Sequence, residues 1–234
     1  MPAEGFSAAD TPVQLHLLAK APLAGRAKTR LMPRLGAQGA ASAHAELVTQ
    51  CVANACRALP AARITLWTAL DHAHPLFDAL QARFGIRLAP QPDGNLGTRI
   101  RHALTSTLSS TKGPAMIMGS DCPSITPELI QVCAARLATH PVVVLPAEDG
   151  GYGLIGIDAD YPALFADIPW GSGEVLTKTR ERLAALGLDA AFLTTVWDVD
   201  RPADWLRFQH EYRHLPHEHQ TLPHERSPTS RRHP

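Results

Sequence analysis

Short apolar runs alternate along the chain with longer segments in which apolar residues recur every three or four positions. An uninterrupted apolar run is typical of a buried strand, and a period near 3.6 residues is typical of an amphipathic helix. The pattern predicts strands over residues 13–19, 63–68, 86–89, 115–118, 141–145 and 191–197, with a further one at 152–157. It predicts helices over residues 37–59, 74–84, 96–108, 126–137, 173–186 and 202–212.

This alternation of strands and helices predicts an α/β fold with a mainly parallel sheet that helices cover on both faces. Ligands of such sheets bind at the carboxyl ends of the strands, so residues directly after each strand are the first functional candidates. We predict one folded domain over residues 11–213. Residues 214–234 are rich in His, Pro and Arg and lack apolar periodicity, which predicts a disordered tail.

Composition and charge exclude some function classes. Lys and Arg total 22 and Asp and Glu total 22, so the chain lacks the basic excess that is usual in nucleic-acid-binding proteins. No apolar run approaches the ~20 residues that span a bilayer, and the first residues do not resemble a secretory signal. We therefore expect a cytoplasmic protein without nucleic-acid partners or a membrane span; the sequence carries no signal for its oligomeric state.

A basic segment follows the first predicted strand and contains Lys20, Arg26, Lys28 and Arg30, with Gly25 shaping the loop. Cationic side chains neutralise phosphate oxygens, and glycine lets the backbone approach them. The segment is not a Walker A loop, because the two glycines that this motif requires are absent. It is a candidate phosphate-binding loop, and a solvated basic turn is the alternative.

Aspartates follow two other predicted strands. Asp121 comes after residues 115–118, while Asp198 and Asp200 come after residues 191–197. Carboxylates at strand ends suit a hard divalent cation, and Asp198 and Asp200 project the same way if this segment is extended. One of them could complete a metal site with Asp121. The alternatives are that Asp121 caps the following turn and that Asp200 is the N-cap of the last helix.

Two adjacent acids, Glu148 and Asp149, follow the strand at residues 141–145 and precede Gly150 and Gly151. A carboxylate at a strand end is able to act as a general base on a substrate hydroxyl. The glycines could also simply turn the chain here.

The turn before the helix at residues 96–108 contains Gly94 and Gly97, and Arg99 follows. Backbone N–H groups at a helix start, together with an arginine, suit an anion or a nucleobase edge, and helix capping is the alternative. Trp170 lies beside Gly171 and is a candidate for stacking on a sugar ring, with packing as the alternative.

These candidates lie on six segments that occur in the order KAPLAGRAKTRL, QPDGNLGTRI, MGSDCPSITPEL, LPAEDGGYGLIGI, IPWGSGEVL and WDVDRPADW. In this order they resemble the bacterial GT-A-type glycosyltransferase family named for arsenosugar biosynthesis, formerly a domain of unknown function, in the nucleotide-diphospho-sugar transferase superfamily. The resemblance extends over roughly residues 13–206. It implies a Rossmann-like αβα sandwich that binds a nucleotide with a divalent metal.

The resemblance also implies roles for these residues. The basic segment would hold the nucleotide phosphates, and Asp121 with Asp198 or Asp200 would hold Mg²⁺ or Mn²⁺. The chain departs from the usual glycosyltransferase pattern at Asp121, where a single acid replaces the Asp-x-Asp pair. This departure keeps nucleotidyl transfer open as an alternative chemistry.

Three alternative functions are compatible with these residues and with the resemblance. The first is a metal-dependent glycosyltransferase that moves a sugar from a nucleotide-diphospho-sugar to a small-molecule acceptor. Asp149 is then the first candidate base and Glu148 the second, and the candidate acceptor residues are Gly150, Gly151, Tyr152 and Trp170. The second is a nucleotidyltransferase that joins a nucleoside triphosphate to a phosphorylated small molecule and releases pyrophosphate. The third is a non-catalytic nucleotide- or sugar-binding protein. The enzyme hypotheses require Lys28 to face Asp121 across one crevice.

Overall fold

The structure, a computed structural model, describes residues 13–111 and 113–212. Its strands are β1 (Gln14–Lys20), β2 (Ile64–Ala69), β3 (Arg87–Pro90), β4 (Ala115–Gly119), β5 (Val142–Pro146), β6 (Tyr152–Ile157) and β7 (Ala190–Phe192). Its α-helices are α1 (Met32–Ala58), α2 (Pro75–Phe84), α3 (Leu96–Thr111), α4 (Pro127–Arg136), α5 (Val175–Ala185) and α6 (Pro202–Tyr212). The predicted tail at residues 214–234 lies outside the described residues, as do residues 11, 12 and 213 of the predicted domain.

The described strands form one seven-stranded sheet in the order β3-β2-β1-β4-β6-β5-β7. Only β6 runs antiparallel to its neighbours in this described sheet, so the prediction of a mainly parallel sheet is confirmed. From β1 the chain builds β2 and β3 on one side and then crosses to β4 on the other. The sheet therefore has its topological switch point between β1 and β4, where open α/β sheets bind ligands.

Helices cover both faces of the sheet, as predicted. Along β4, Met116 and Met118 are buried in one cluster with residues of α1, α2 and α4. The alternate residues Ala115 and Ile117 are buried in another cluster with residues of α3 and α5. Across the described residues, no helix has the length and apolar character needed to cross a bilayer.

The helix predicted from residue 37 begins earlier, because a first turn from Met32 precedes it. Gly36 interrupts α1 with a φ of 69°, a left-handed conformation that glycine adopts without steric cost. A 3-10 turn at Thr29–Leu31 precedes this point. The chain thus changes direction twice before the long part of α1, and the basic segment runs from the end of β1 to the first of these turns.

The last strand is shorter than predicted. Residues 191–197 were expected to be extended together, but β7 ends at Phe192. Leu193 still donates its N–H to the carbonyl of Val144 at 3.0 Å, and the chain then leaves the edge of β5. It returns at Val196, which forms a single parallel bridge with Ala147. Residues 194 and 195 have no strand neighbour in the described sheet, so the predicted strand ends early although its composition is suitable.

A buried histidine fixes α3 on the sheet. The Nε1–H of Trp67 donates to His16 Nδ1 at 3.0 Å, and His16 Nε2 lies 2.8 Å from the hydroxyl oxygen of Thr107. Burial and, to a lesser extent, the positive charge of Arg87 together lower the pKa of His16 to about 4, so the ring is neutral near pH 7. This contact attaches the second half of α3 to β1.

Candidate functional site

A cavity of about 470 Å³ opens at the carboxyl ends of β1 and β4. It lies at the switch point of the sheet, and we refer to it as the cleft. The predicted site residues that line it are Lys20, Arg99, Asp121, Asp149, Gly151, Tyr152, Trp170 and Asp198. These residues come from six different segments of the chain, so the cleft brings together parts that are far apart in sequence.

Lys28 and Asp121 meet, as the enzyme hypotheses require, and form an ion pair; Asp121 lines the cleft, whereas Lys28 lies behind it and does not. Lys28 Nζ donates to Asp121 Oδ2 at 2.8 Å, with 8% of the lysine side chain and 36% of the aspartate side chain exposed. Burial favours the neutral form of each group, but their opposite charges outweigh it, so the pKa of Lys28 is raised and the pKa of Asp121 is lowered. Both side chains are therefore charged at neutral pH.

The position of Asp121 depends on its neighbours in sequence and in space. A Cβ on Gly119 would lie 2.7 Å from Asp121 Oδ1, so glycine leaves room for the carboxylate to fold back over the end of β4. The backbone N–H of Val199 donates to the carbonyl of Asp121 at 2.9 Å. This bond holds the segment that contains Asp198 and Asp200 beside the end of β4.

Asp198 is the second carboxylate of the cleft. Burial and, to a lesser extent, the negative charges of Asp121 and Asp149 together raise its pKa to about 6. Two neighbouring carboxylates therefore repel Asp198, and Lys28 offsets part of this repulsion. Such an arrangement is costly in the absence of a cation, and it marks the wall as a place where positive charge is stabilised.

Asp200 lies at the rim and does not line the cleft. Its Oδ2 accepts a hydrogen bond from Arg30 Nη1. The N-cap alternative for Asp200 is not what the structure shows, because Asp204 Oδ2 accepts from the backbone N–H groups of Asp200 and Arg201 at 3.1 and 2.6 Å. Of the two candidate partners for Asp121, only Asp198 faces the same cavity.

The cleft offers few ligands for a divalent metal. Within the described ranges, no three His, Cys, Asp or Glu side chains are grouped so that they could hold a metal ion. Asp121 and Asp198 do supply two carboxylates to one cavity. Mg²⁺ at nucleotide sites takes one or two carboxylates and completes its shell with water and substrate phosphates. The residues therefore fit a metal that is shared with a diphosphate, and they do not form a cage for a metal alone.

Glu148 and Asp149 are adjacent in sequence, but Glu148 is directed toward Arg207 and Asp149 toward the cleft. Both carboxylate oxygens of Glu148 accept from Arg207 Nη1 at 3.1 Å, and the same guanidinium lies 4.2 Å above the ring of Trp197. Glu148 is exposed and does not line the cleft, whereas Asp149 does. The structure thus gives only Asp149 access to a bound substrate.

The turn that carries Asp149 is closed by glycines. Gly150 has a φ of 85°, and a Cβ there would lie 2.2 Å from the carbonyl oxygen of Gly173. The N–H of Gly151 donates to Asp149 Oδ1 at 2.9 Å and orients the carboxylate. Gly150 therefore serves the packing of this turn against the start of α5, and Gly151 lines the cleft.

Arg99 is held at the mouth of the cleft by a chain of hydrogen bonds. Its Nε donates to the carbonyl of Gly94 at 3.1 Å, and its Nη1 donates to Gln91 Oε1 at 3.3 Å. Gln91 Nε2 in turn donates to the carbonyls of Trp67 and Ala19 at 2.8 and 3.3 Å. Gln91 therefore joins the ends of β1 and β2 to Arg99, a role that sequence analysis missed.

His44 is a second residue of the cleft that sequence analysis missed. It is buried, and its Nε2 lies 3.0 Å from the carbonyl oxygen of Lys20. Its Nδ1 is buried without a hydrogen-bond partner among the described residues. A signal was present in the sequence, since this histidine interrupts the apolar face of α1 between Ala40 and Leu47.

Gly97 and Trp170, which the sequence analysis treated as separate candidates, are in close contact. A Cβ on Gly97 would lie 2.4 Å from Trp170 Nε1, so the indole packs directly over the first turn of α3. Trp170 also makes an edge contact with Tyr152, with ring centroids 6.3 Å apart. The hydroxyl of Tyr152 is buried without a partner among the described residues. The two rings form an aromatic wall of the cleft.

The remaining predicted phosphate ligands lie around the loop. Lys20 is exposed at the end of β1 and lines the cleft. Gly25 and Arg26 are exposed and do not line it. Gly25 has a φ of 75° with open space where a side chain would lie, so the structure leaves room around this part of the loop.

Comparison with protein families gives one match. The model of a family described as an uncharacterized protein conserved in bacteria (DUF2064) matches residues 52–172. The chain belongs to this family. This agrees with the predicted membership of a GT-A-like family. No curated protein matches the chain.

Solved structures support the fold. A candidate nucleotide-diphospho-sugar transferase from Desulfovibrio desulfuricans G20 is 26% identical, with a TM-score of 0.75 over 88% of this chain and 90% of that one. 4-Diphosphocytidyl-2C-methyl-D-erythritol synthase from Anaerococcus prevotii DSM 20548 is 10% identical, with a TM-score of 0.57 over 86% and 97% of the two chains. CMP:2-keto-3-deoxy-manno-octonic acid synthetase complexed with CTP is 12% identical, with a TM-score of 0.55 over 85% and 97%. The chain thus has the predicted αβα fold of nucleotide-diphospho-sugar transferases.

Proposed function

We propose that the protein is a metal-dependent glycosyltransferase that moves a sugar from a nucleotide-diphospho-sugar donor to a small-molecule acceptor. The observation that carries this proposal is the meeting of Lys28, Asp121 and Asp198 at one end of the sheet, with Lys28 Nζ 2.8 Å from Asp121. The similarity to a candidate nucleotide-diphospho-sugar transferase supports the same substrate class. The family and the fold are common to both enzyme hypotheses.

The size and polarity of the cleft suit such a donor. Its volume of about 470 Å³ lies within the range of pockets that bind nucleotides and other small ligands. Lys20, Lys28 and Arg99 would bind the diphosphate, and the aromatic wall of Tyr152 and Trp170 would face the sugar or the acceptor. Oriented cations stabilise the charge that develops on a departing diphosphate, because they lie in a partly desolvated site and need no rearrangement.

Asp121 and Asp198 would hold Mg²⁺ or Mn²⁺ together with the diphosphate. The metal would neutralise charge on the leaving diphosphate, which is the usual contribution of such an ion. The raised pKa of Asp198 agrees with this role, since a carboxylate that is repelled by its neighbours gains most from a nearby cation.

Asp149 is the proposed general base. It lines the cleft, and the N–H of Gly151 orients its carboxylate, so an acceptor hydroxyl bound in the cleft would lie within its reach. This role is needed if the anomeric centre is inverted. Glu148, the second candidate in the sequence analysis, is the weaker one because it is bound to Arg207 outside the cleft.

Nucleotidyl transfer is the second candidate function. The observation in its favour is the single acid in the Asp121 motif with a buried lysine beside it. In that reaction an anionic phosphate attacks the α-phosphate of a nucleoside triphosphate and pyrophosphate leaves. The attacking phosphate has no proton to lose, so Asp149 would not be needed as a base.

A thermal-shift panel tests the two functions together. UDP-, GDP- and dTDP-sugars are compared with GTP, CTP and ATP, each with and without Mn²⁺. A ligand at about 100 times its Kd stabilises the fold by about 2.7 kcal/mol, which raises Tm by about 5–10 °C for a domain of this size. A Mn²⁺-dependent shift with a nucleotide sugar supports glycosyl transfer, and a shift restricted to a triphosphate supports nucleotidyl transfer.

The control for this panel is Asp121→Asn, which should lose the Mn²⁺-dependent part of the shift. The panel is followed by product analysis for the positive donor. Release of a nucleoside diphosphate identifies glycosyl transfer and release of pyrophosphate identifies nucleotidyl transfer. Binding without either product would support the non-catalytic alternative.

A further inference from the structure

The proposed metal ligand Asp121 is already occupied by a cation of the chain. Lys28 Nζ donates to Asp121 Oδ2 at 2.8 Å, and the lysine side chain is only 8% exposed. The exposed part of the carboxylate faces the cleft. A divalent ion bound to Asp121 would therefore share one carboxylate with a buried ammonium group.

Two cations on one carboxylate repel each other strongly in a partly desolvated site. The other loop cation near this wall, Arg30, is bound to Asp200 at the rim and does not replace Lys28. The further charged or titratable groups that act on Lys28 and Asp121 are Asp198, Asp200 and His44. Of the groups in this part of the described structure, Lys28 is the one whose displacement would free Asp121.

Lys28 occupies a strained backbone position. Its backbone is left-handed, with a φ of 47° and a ψ of 45°, a conformation that L residues rarely adopt and that costs free energy. Gly25, three residues earlier, borders open space. A diphosphate in the cleft would offer the ammonium group another anionic partner, so that one charge-assisted hydrogen bond replaces another.

We propose that Lys28 blocks the metal site in the free protein and that the nucleotide diphosphate draws it away from Asp121, so that metal and nucleotide bind with positive coupling. This inference rests on the proposed function, because it takes Asp121 as the metal ligand. It adds an order to the binding: the metal enters with the nucleotide, and metal alone binds weakly. Linkage requires the coupling to be reciprocal, so Mn²⁺ raises nucleotide affinity by the same factor.

Direct measurement of Mn²⁺ binding tests the proposal without any assay of activity. Free Mn²⁺ is followed by electron paramagnetic resonance during titration of the full chain, with and without the nucleoside diphosphate of the best donor. In the wild type we expect the nucleotide to tighten Mn²⁺ binding about tenfold or more, within the usual range of coupling between sites. In Lys28→Met we expect Mn²⁺ alone to bind about tenfold more tightly than in the wild type, with a smaller effect of nucleotide.

The matched control is Lys20→Met. It removes a positive charge that lines the cleft but leaves the Lys28–Asp121 pair, so Mn²⁺ alone should bind within about twofold of the wild type if the pair decides the affinity. Equal Mn²⁺ affinity in the wild type and Lys28→Met, or an equal gain in Lys20→Met, overturns the inference. The wild-type titration is a test in itself, because it does not depend on any variant folding correctly. If bound nucleotide leaves the Mn²⁺ affinity of the wild type unchanged, the inference is also overturned.

The two proposals fail differently. If nucleotide and Mn²⁺ bind but Lys28→Met has no effect on Mn²⁺ alone, the ordered binding is wrong and the proposed function stands. If no nucleotide binds to any variant, the proposed function fails. Tighter Mn²⁺ binding by Lys28→Met in that case would still support the block of the metal site by Lys28.

Discussion

His44 in the middle of α1 is hydrogen-bonded to the last residue of β1: its Nε2 lies 3.0 Å from the carbonyl oxygen of Lys20. A carbonyl oxygen only accepts, so Nε2 carries the proton and donates it. Burial lowers the pKa of His44, and the charge of Lys28 lowers it further, which keeps the ring neutral at pH 7. The bond connects the helix to the strand end from which the basic loop departs.

We predict that His44→Phe weakens nucleotide binding. The substitution removes the donor to the Lys20 carbonyl; one such hydrogen bond contributes about 1 kcal/mol to stability, so nucleotide affinity should fall by at most about fivefold. Isothermal titration with the nucleoside diphosphate measures the effect. His140→Phe, at the connection between α4 and β5, is the matched control and should retain wild-type affinity. If the affinity of His44→Phe for the nucleotide is unchanged, His44 does not contribute to nucleotide binding.

We predict that Asp149→Asn and Glu148→Gln differ sharply. Asp149 lines the cleft, so loss of a general base should reduce kcat about 10²–10⁴-fold while nucleotide affinity stays the same. Glu148 is bound to Arg207 outside the cleft, and the loss of an exposed ion pair costs at most about 1 kcal/mol of stability. Steady-state kinetics of both variants make the comparison. Equal kcat values for the two variants would exclude base catalysis by Asp149 and favour nucleotidyl transfer.

We predict that Asp198→Asn stabilises the metal-free protein, with a gain that depends on pH. The pKa of Asp198 is raised to about 6, so the folded state binds its proton more tightly than the unfolded state does. The charged carboxylate therefore destabilises the wild type fully above about pH 6, and this penalty disappears as the pH falls toward about 4. Urea unfolding of both proteins at pH 8 and pH 4 checks the sign.

The expected result is a larger free energy of unfolding for Asp198→Asn at pH 8 and a smaller difference from the wild type at pH 4. Added Mn²⁺ and nucleotide should reverse the order at pH 8, because only the wild type keeps both proposed ligands. A variant that is less stable than the wild type at pH 8 without ligands would contradict the electrostatic account of this wall.

We predict that Gly97→Ala destabilises the protein although alanine favours helix. A Cβ at this position would lie 2.4 Å from Trp170 Nε1, so the indole must move. Such overpacking costs about 1–3 kcal/mol, which exceeds the gain in helix propensity. The free energy of unfolding measures the loss. Gly97→Ala with Trp170→Leu should recover part of it, and a double variant no more stable than Gly97→Ala would contradict the contact.

Much of the fold could be predicted from the sequence because buried parallel strands are nearly continuous apolar runs. The run at β4 and the run at β5 have no polar interruption, and both were located to within a residue. The direction of β6 could not be predicted, because the pattern YGLIGI is compatible with either direction. The predicted extent of the last strand was wrong. The composition of residues 193–196 is compatible with a strand, but the chain leaves the edge of the sheet there.

The position of residues directly after predicted strands was a better guide to the site than the type of any single residue. Lys28 and Asp121 were predicted to meet because both follow predicted strands of a mainly parallel sheet, whose carboxyl ends bind ligands. The separation of Glu148 from Asp149 could not be predicted, since it depends on the turn at Gly150 and on Arg207 from a distant helix. His44 was missed because a histidine on an apolar helix face resembles a core residue until its partner is known.

The most direct test is a crystal structure of the protein with Mn²⁺ and the nucleoside diphosphate that gives the largest thermal shift. Anomalous scattering locates the manganese without reference to the protein. The account predicts one strong peak between the carboxylates of Asp121 and Asp198 and the diphosphate, with Lys28 bound to a phosphate oxygen instead of to Asp121. A nucleotide bound outside the cleft, or a diphosphate far from both Lys28 and Asp121, would contradict it.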